Sequence, residues 1–508
     1  MTDSNGKNTE QPYPGRWWAL AAICIPLIVV SIDGTILNVA LPTIARDLRA
    51  TSAQLVWINS AYIIIFGSTI LLGGSLGDKY GRKWFLEVGL LVFVCGSIWA
   101  GLSTATYSLI SARGFMGIGG GMIMPATLSL ITNIFHESER PRAIGVWAGM
   151  AGIGVAIGPL AGGLILTHFR WGWVFFVNIP IVAVGVVAVW LLVPNSRAAD
   201  TPPIDFIGAT LSFLGLLAFF YGLIVGPSKG WSDPSVITGF ALAVVLLALF
   251  VWLELRVPNP LIEVRFFKIP AFSTGVISIA ICFFALFGLL YVLTLYLQSV
   301  LAYSPMKAGL ALVPFALVLL AGSPLVPRLT AKMGGRLVVA VGLFIVGAGM
   351  LVFTQVSTAT SYPLVFAGLI LVSTGLTLSQ VPSSDAIMGS IPRDRAGEGS
   401  AMNAAIRQIG SSLGIAIIGG VSQLGYCNAL AKSSAFQALS ASSAKTAEAG
   451  ITGALSVSQG LGASGDALAG AARSAFVRGL DVSMIITAVI ALIGAVIAYR
   501  FIPRRPAP

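Results

Sequence analysis

Charged side chains are scarce in this chain: Asp, Glu, Lys and Arg make up 10% of 508 residues, against about 25% in a soluble globular domain. That scarcity excludes an ordinary water-soluble fold. With hydrophobic residues at 56% and a mean hydropathy of +0.91, the composition is that of a membrane protein. Cysteine is scarce too. Of four, Cys24, Cys95 and Cys282 fall in apolar runs and Cys427 stands alone in a polar stretch, which leaves no disulfide framework and no C-x-x-C pair. The two histidines, His136 and His168, lie at segment ends and do not make a metal cluster. No metal site and no cofactor is therefore expected. No G-x-x-x-x-G-K-[ST] occurs, so nothing supports nucleotide hydrolysis, and no cluster of nucleophile, base or metal ligands points to catalytic residues or an enzyme.

What the chain does contain is long apolar runs. A helix needs about 20 such residues to cross a bilayer, and fourteen candidates meet that length, from 17–42 to 479–502, with 204–226 and 235–255 in the middle. Strands are excluded by segment length. The expected fold class is an all-α integral membrane protein of 14 transmembrane helices.

Net charge is +11, from 30 Lys and Arg against 19 Asp and Glu. The basic residues sit in short loops between apolar runs rather than on one face, so the excess reports orientation in a lipid bilayer and not a nucleic-acid partner. With the N-terminus inside, 19 Lys and Arg fall on the cytoplasmic side, nine outside, and two, Arg113 and Arg407, within spans. The positive-inside rule therefore favours a multi-pass chain with both termini cytoplasmic. The run after the polar N-terminal stretch is too long for a signal-peptide core, so the first helix is expected to be uncleaved. Segment 424–478 is rich in Ala, Ser and Gly and reads as a flexible, weakly helical external loop.

Two loops resemble each other. GGSLGDKYGRK (Gly73 to Lys83) follows the second span, and a degraded copy, GSPLVPRLTAKMGGR (Gly322 to Arg336), follows the tenth. The repeat divides the chain into a cytoplasmic tail 1–16, a six-helix bundle 17–193, a linker 194–270 with two extra transmembrane helices, a second six-helix bundle 271–502 that includes the loop 424–478, and a tail 503–508. Internal repeats with a site near the midplane at their interface characterise secondary transporters. Gly74 and Gly77 permit close helix approach, while Asp78, Lys79, Arg82 and Lys83 are candidates for a latch between the halves on the inner face. The second copy lacks an acid equivalent to Asp78.

Few acids fall within spans: Asp33, Glu87, Asp385 and the marginal Asp205, Glu254 and Asp481. Only Asp33 is far from both ends, 17 residues from Arg16 and 13 from Arg46, which at about 1.5 Å per residue places it roughly 20–25 Å from either. A carboxylate there costs about 2.5–3.5 kcal/mol even on the lenient insertion scale. Arg113 enters from the outer side at a depth that overlaps with Asp33. Two readings stand open: a proton-binding carboxylate whose load changes with its separation from Arg113, or a static buried ion pair that orders helix packing. Asp385 and Arg407, in the inner parts of neighbouring helices, are expected to pair, either structurally or in substrate or proton handling. Glu87 is expected to pair with Lys83 at i,i+4. Met116, Met122, Met124, Trp147 and Phe175 are weaker candidates for lining an apolar pocket.

GSLGDKYGRK, Gly74 to Lys83 with Gly81 at its turn, resembles motif A of the major facilitator superfamily. Arg113 in LISARGFMGIGGG (109–121) resembles motif B, and GMAGIGVAIGPLAGG (149–163) resembles motif C of its antiporter members. SIDGTILNVALP (31–42) and RWGWVFFVNIP (170–180) are similar to motifs of the fourteen-helix drug:proton antiporter branch. The resemblance covers essentially the whole chain. It implies the superfamily fold of two six-helix bundles plus two inserted central helices, and a monomer. It also implies that Gly154, Gly158, Pro159, Gly162 and Gly163 belong to a helix that seals one side of a cavity, and it favours the coupling reading of Asp33 and Arg113. The expected function is a proton-coupled antiporter of the cytoplasmic membrane, driven by the proton gradient. It would export lipophilic small molecules, cations among them, by alternating access. A dedicated exporter of one endogenous metabolite and a non-transporting membrane sensor are the alternatives.

Overall fold

Apolar sequence in lipid must satisfy its backbone hydrogen bonds internally, and continuous helix does so within each segment. The computed structural model describes residues 13–50, 52–136, 138–196, 205–258, 260–392 and 395–502, and among them there is no strand. Fourteen helices are long and apolar enough to cross a membrane. In the first half these are α1 (Arg16–Asp47), α2 (Ser52–Tyr80), α3 (Arg82–Leu102), α4 (Thr106–Ile134), α5 (Arg140–His168) and α6 (Asn178–Leu192), which a short helix Trp173–Phe176 extends to the span Trp173–Leu192. The two central helices are α7 (Phe206–Lys229) and α8 (Pro234–Glu254). The second half comprises α9 (Pro270–Leu295), α10 (Pro305–Gly322), α11 (Gly335–Phe353), α12 (Tyr362–Gly389), α13 (Ala396–Leu430) and α14 (Ala463–Phe501). Of the expected tails, residues 1–12 and 503–508 lie outside the described residues.

Local chemistry sets several helix starts. Asp205 accepts from the Ile207 and Gly208 amides at the start of α7, and Asp233 accepts from Ser235 at the start of α8, where Pro234 occupies a position that needs no amide donor. The two central helices pack on each other, and α7 docks on α2 where Gly67 leaves room for the Phe220 ring.

Segment 424–478 departs from expectation. Helix α13 continues to Leu430 and α14 begins at Ala463, and between them lie helices Ser434–Gln437, Ala441–Glu448 and Ile451–Gln459. Alanine is the best helix former, and this stretch also has an apolar face: Ala447, Ile451, Ala454 and Leu468 are buried. The Tyr426 hydroxyl donates to the Ala447 carbonyl at 2.9 Å. Cys427 accordingly lies in a helix, not a loop.

Most of the second half has its own apolar core, but Phe272, Ile279, Ile387 and Ala401 join the core of the first half. Helix α5 packs on α1 on one side and on α10 on the other, and α2 packs on α13. The halves therefore meet along α2–α13 and α5–α10.

Candidate functional site

Asp33 and Arg113 are both fully buried, and the Arg113 Nη1 to Asp33 Oδ2 distance is 2.5 Å. The pair joins α1 to α4. Asn178, at the start of α6, donates from Nδ2 to Asp33 Oδ1 at 3.4 Å and to the Ser97 hydroxyl at 3.1 Å. Arg113 Nε donates to the Ile58 carbonyl at 3.3 Å, and its guanidinium lies 4.5 Å from the Tyr62 ring centroid and 5.9 Å from that of Phe175. Met116 Sδ is 3.8 Å from Nη1. A buried charge persists only when paired or hydrogen-bonded, and this carboxylate has both kinds of partner. Loss of the Asp33 charge would leave Arg113 supported by one carbonyl, the Met116 sulfur and two aromatic faces.

A cavity of about 190 Å³ lies between the halves. From the first half Ser31, Gly34, Thr35, Tyr62, Phe66 and Met124 reach it; from the second, Phe283, Phe287, Gln380, Arg407 and Gln408 do. Asp33 does not line it. Tyr62 does, and it also covers the Arg113 guanidinium, so one ring separates the cavity from the ion pair. Among the weaker pocket candidates, Met124 lines the cavity, Met116 and Phe175 surround Arg113, and Trp147 lies against Arg407.

The expected Asp385–Arg407 pair does not form. Arg407 Nε donates to Asn403 Oδ1 at 2.7 Å and Nη2 to the Ser384 hydroxyl at 3.0 Å. Successive helix residues point about 100° apart, so the face of α12 that presents Ser384 to Arg407 turns Asp385 away. The expected Lys83–Glu87 pair is also absent. Lys83 Nζ donates to the Trp190 carbonyl at 2.7 Å, its long stem reaching out along α6, while Glu87 Oε1 is buried without a hydrogen bond.

The motif A residues divide into two sets. Asp78 Oδ2 accepts from the Gly397 amide at 2.7 Å, which ties the end of α2 to the first turn of α13 in the other half. A carboxylate at a helix N-terminus meets unsatisfied amides and the positive end of the helix dipole. At Gly74 a Cβ would stand 2.5 Å from that of Ala401 and still closer to the Gly397 carbonyl, so only glycine permits this approach. Among the basic residues, Arg82 Nε pairs with Asp78 Oδ1 at 2.5 Å and Nη1 donates to Ser196, in the linker, at 3.1 Å. Gly77 is in ordinary contact with Phe85, and Gly81 turns the chain at φ 109°. Lys79 lies 5.8 Å from the Tyr80 ring.

Motif C meets both halves. Gly154, Gly158 and Gly162 face α1, with a Cβ at Gly154 falling 2.5 Å from that of Ser31 and one at Gly158 overlapping the Thr35 hydroxyl. Thr35 in turn donates to the Val155 carbonyl at 3.2 Å. Gly149 and Gly152 face Leu319 and Leu320 on α10, and Pro159 faces Gly309. Gly163 faces open space. Where α1 and α5 begin, Arg16 binds Glu139 through Nε at 2.7 Å and Nη2 at 3.0 Å. That hydrogen bonding holds the Glu139 carboxyl below its ordinary range.

Sequence reasoning overlooked Tyr62 and Asn178. Asn178 stands in RWGWVFFVNIP, where an amide among apolar residues was an available signal. An aromatic in an apolar run gives none.

The sequence profile of the Major Facilitator Superfamily matches residues 23–415. The multidrug efflux pump LfrA of Mycolicibacterium smegmatis is 31% identical over 483 residues, 95% of both chains. The multidrug resistance protein Stp of Mycobacterium tuberculosis is 34% identical over 405 residues, 79% of this chain and 75% of its own. Among solved structures, the human organic anion transporter MFSD10 aligns over 96% of this chain and 100% of its own with a TM-score of 0.63 and 13% identity, a likeness of fold alone. With fourteen candidate spans, six in each half and two between them, and with these sequence matches, this chain belongs to the Major Facilitator Superfamily.

Proposed function

We propose that this transporter exports lipophilic small molecules from the cytoplasm in exchange for protons, as a monomer in the cytoplasmic membrane with both termini inside. The buried Asp33–Arg113 pair carries the reading. Two charges deep in a span persist at a cost that packing alone does not require, and this carboxylate holds a place where proton loading changes its partner. Protonation of Asp33 would remove the charge that Arg113 answers. The freed guanidinium would press on Tyr62 and the Ile58 carbonyl of α2, the helix that carries the Asp78 latch to α13. Movement at Tyr62 would reach the cavity directly, because the same ring lines it. Substrate and proton are thereby coupled without sharing a site. The Gly74–Gly397 and Gly145–Ser323 approaches close the cytoplasmic side, and breaking them would open it. The names of LfrA and Stp support drugs as the substrates.

The experiment is efflux of a panel of antibiotics and dyes from a pump-deficient bacterial host, wild type against Asp33→Asn at equal membrane expression. Loss of all proton-driven efflux is the expected result. Efflux at the wild-type rate in Asp33→Asn overturns the coupling role.

A further inference from the structure

Arg407 is a buried cation that, among the described residues, has no carboxylate beside it. It is 5% exposed and lies on α13, donating to two neutral side chains, Asn403 and Ser384. The Trp147 ring of α5 and the Phe283 ring of α9 each lie 4.7 Å from its guanidinium carbon. Among the described residues its Nη1 finds no hydrogen-bond acceptor, and the neighbouring Asn403 Nδ2 is buried without one. Arginine stays protonated in proteins, so the positive charge is fixed. Two neutral acceptors and two aromatic faces reduce the penalty of burying it but do not cancel the charge.

The place of that charge gives it a use. Arg407 lines the central cavity beside Gln380, Gln408 and Ser411, and among the described residues no Asp or Glu lines that cavity. Asp33, the acid next to it in the chain from Gly34, is turned behind Tyr62 and neutralised by Arg113. The polar part of the cavity therefore carries one uncompensated positive charge, set among aromatic and aliphatic side chains. A lipophilic cation entering it would meet like charge at low dielectric, and a lipophilic anion would supply the missing partner through charge-assisted hydrogen bonds.

We propose that Arg407 is the substrate-recognition residue of the central cavity and that it selects lipophilic organic anions, molecules with a carboxylate, phenolate or sulfonate on an apolar ring system, over cations of the same size. Asn403 positions the guanidinium through Nε, leaving Nη1 for the ligand. The inference deepens the export reading and rests on it only in taking this cavity as the substrate site.

The test compares three ligands of one shape: 2-naphthoate, 2-naphthamide and 2-naphthylmethylammonium. Each is titrated into full-length protein in neutral phosphatidylcholine nanodiscs, with empty discs as the blank. Wild type is expected to bind naphthoate roughly tenfold or more tighter than the ammonium compound, with the amide between. Arg407→Gln should abolish that order and Arg407→Lys should keep most of it. Should Arg407→Gln fail to fold, the wild-type order alone decides. Equal or tighter binding of the ammonium compound, no binding of naphthoate, or an unchanged order in Arg407→Gln overturns the proposal. Asp33→Asn separates this from coupling: it should keep the naphthoate preference and lose proton-driven transport. Transport surviving in Asp33→Asn sinks only the coupling role, and a lost charge order in wild type sinks only this one.

Discussion

Two guanidiniums, Arg113 and Arg407, are buried well inside spans, one in each half, and their surroundings differ. Arg113 faces a carboxylate at 2.5 Å and is fully enclosed; Arg407 faces an amide and a hydroxyl and lines the cavity. Both lie over aromatic rings, so the rings do not distinguish them. The acid does. Where the cation has an acid beside it, proton loading of that acid changes the local charge by one unit. Where it has none, the charge is constant, and what varies is the ligand that answers it. The first arrangement suits a switch, the second a recognition site.

Stability should separate them most. Arg113→Gln leaves Asp33 buried without its cation, a loss of about 3–5 kcal/mol for a broken buried pair. Arg407→Gln strands no charge and costs only the hydrogen bonds to Asn403 and Ser384, about 1–3 kcal/mol, part of it offset by removing a buried cation. Apparent thermal unfolding midpoints in detergent, taken at one scan rate, should therefore fall much further for Arg113→Gln. Adding Asp33→Asn to Arg113→Gln should recover much of that fall without recovering transport. Equal falls for the two single arginine variants would erase the distinction.

A smaller contrast lies along α5, whose glycines meet α1 at one position and open space at another. Gly158→Ala places a methyl group on the Thr35 hydroxyl and 2.9 Å from the Ile32 carbonyl, next to Asp33 in the chain. Overpacking of that kind costs about 1–3 kcal/mol. Gly163→Ala meets nothing within 4 Å and should leave the midpoint and efflux unchanged. A matching effect at both sites would mean that the glycine pattern acts through backbone freedom rather than helix approach.

The smallest effect belongs to the half-buried pair Arg16–Glu139, the counterpart of Asp33–Arg113 at the helix ends. Its folded-state carboxyl titrates below the ordinary glutamate value because Arg16 hydrogen-bonds to it. A lowered folded value means that its contribution is complete above the unfolded value, about pH 4.3, and is lost as pH falls through the folded one. Glu139→Gln should thus be slightly less stable than wild type at pH 7, with the difference fading on acidification. A difference that grows towards low pH would contradict that sign.

Asp33–Arg113 was legible in the sequence because charges inside apolar runs are few, and only these two reach similar depth from opposite ends. Arg407 was legible as a buried cation, but its partner was not: Ser384 and Asp385 are adjacent in the chain, and which of them faces α13 depends on a rotation that residue counting does not resolve. Depth misled at Glu87 for a related reason, since Lys83 has a backbone carbonyl within reach and lysine stems bend toward the interface. The segment 424–478 was misread from composition. Its richness in Ala, Ser and Gly suggests a flexible linker, yet the spacing of Ala447, Ile451 and Ala454 supports short packed helices. Tyr62 carried no signal at all, because its importance comes from what lies on each side of its ring.

Proton release tests the coupling assignment most directly. Purified wild-type protein, weakly buffered near neutral pH with an indicator dye and given a substrate found in the efflux panel, should release protons on binding. Asp33→Asn, binding the same substrate, should release none. Equal release from the two proteins would place the exchanged proton elsewhere and contradict the assignment.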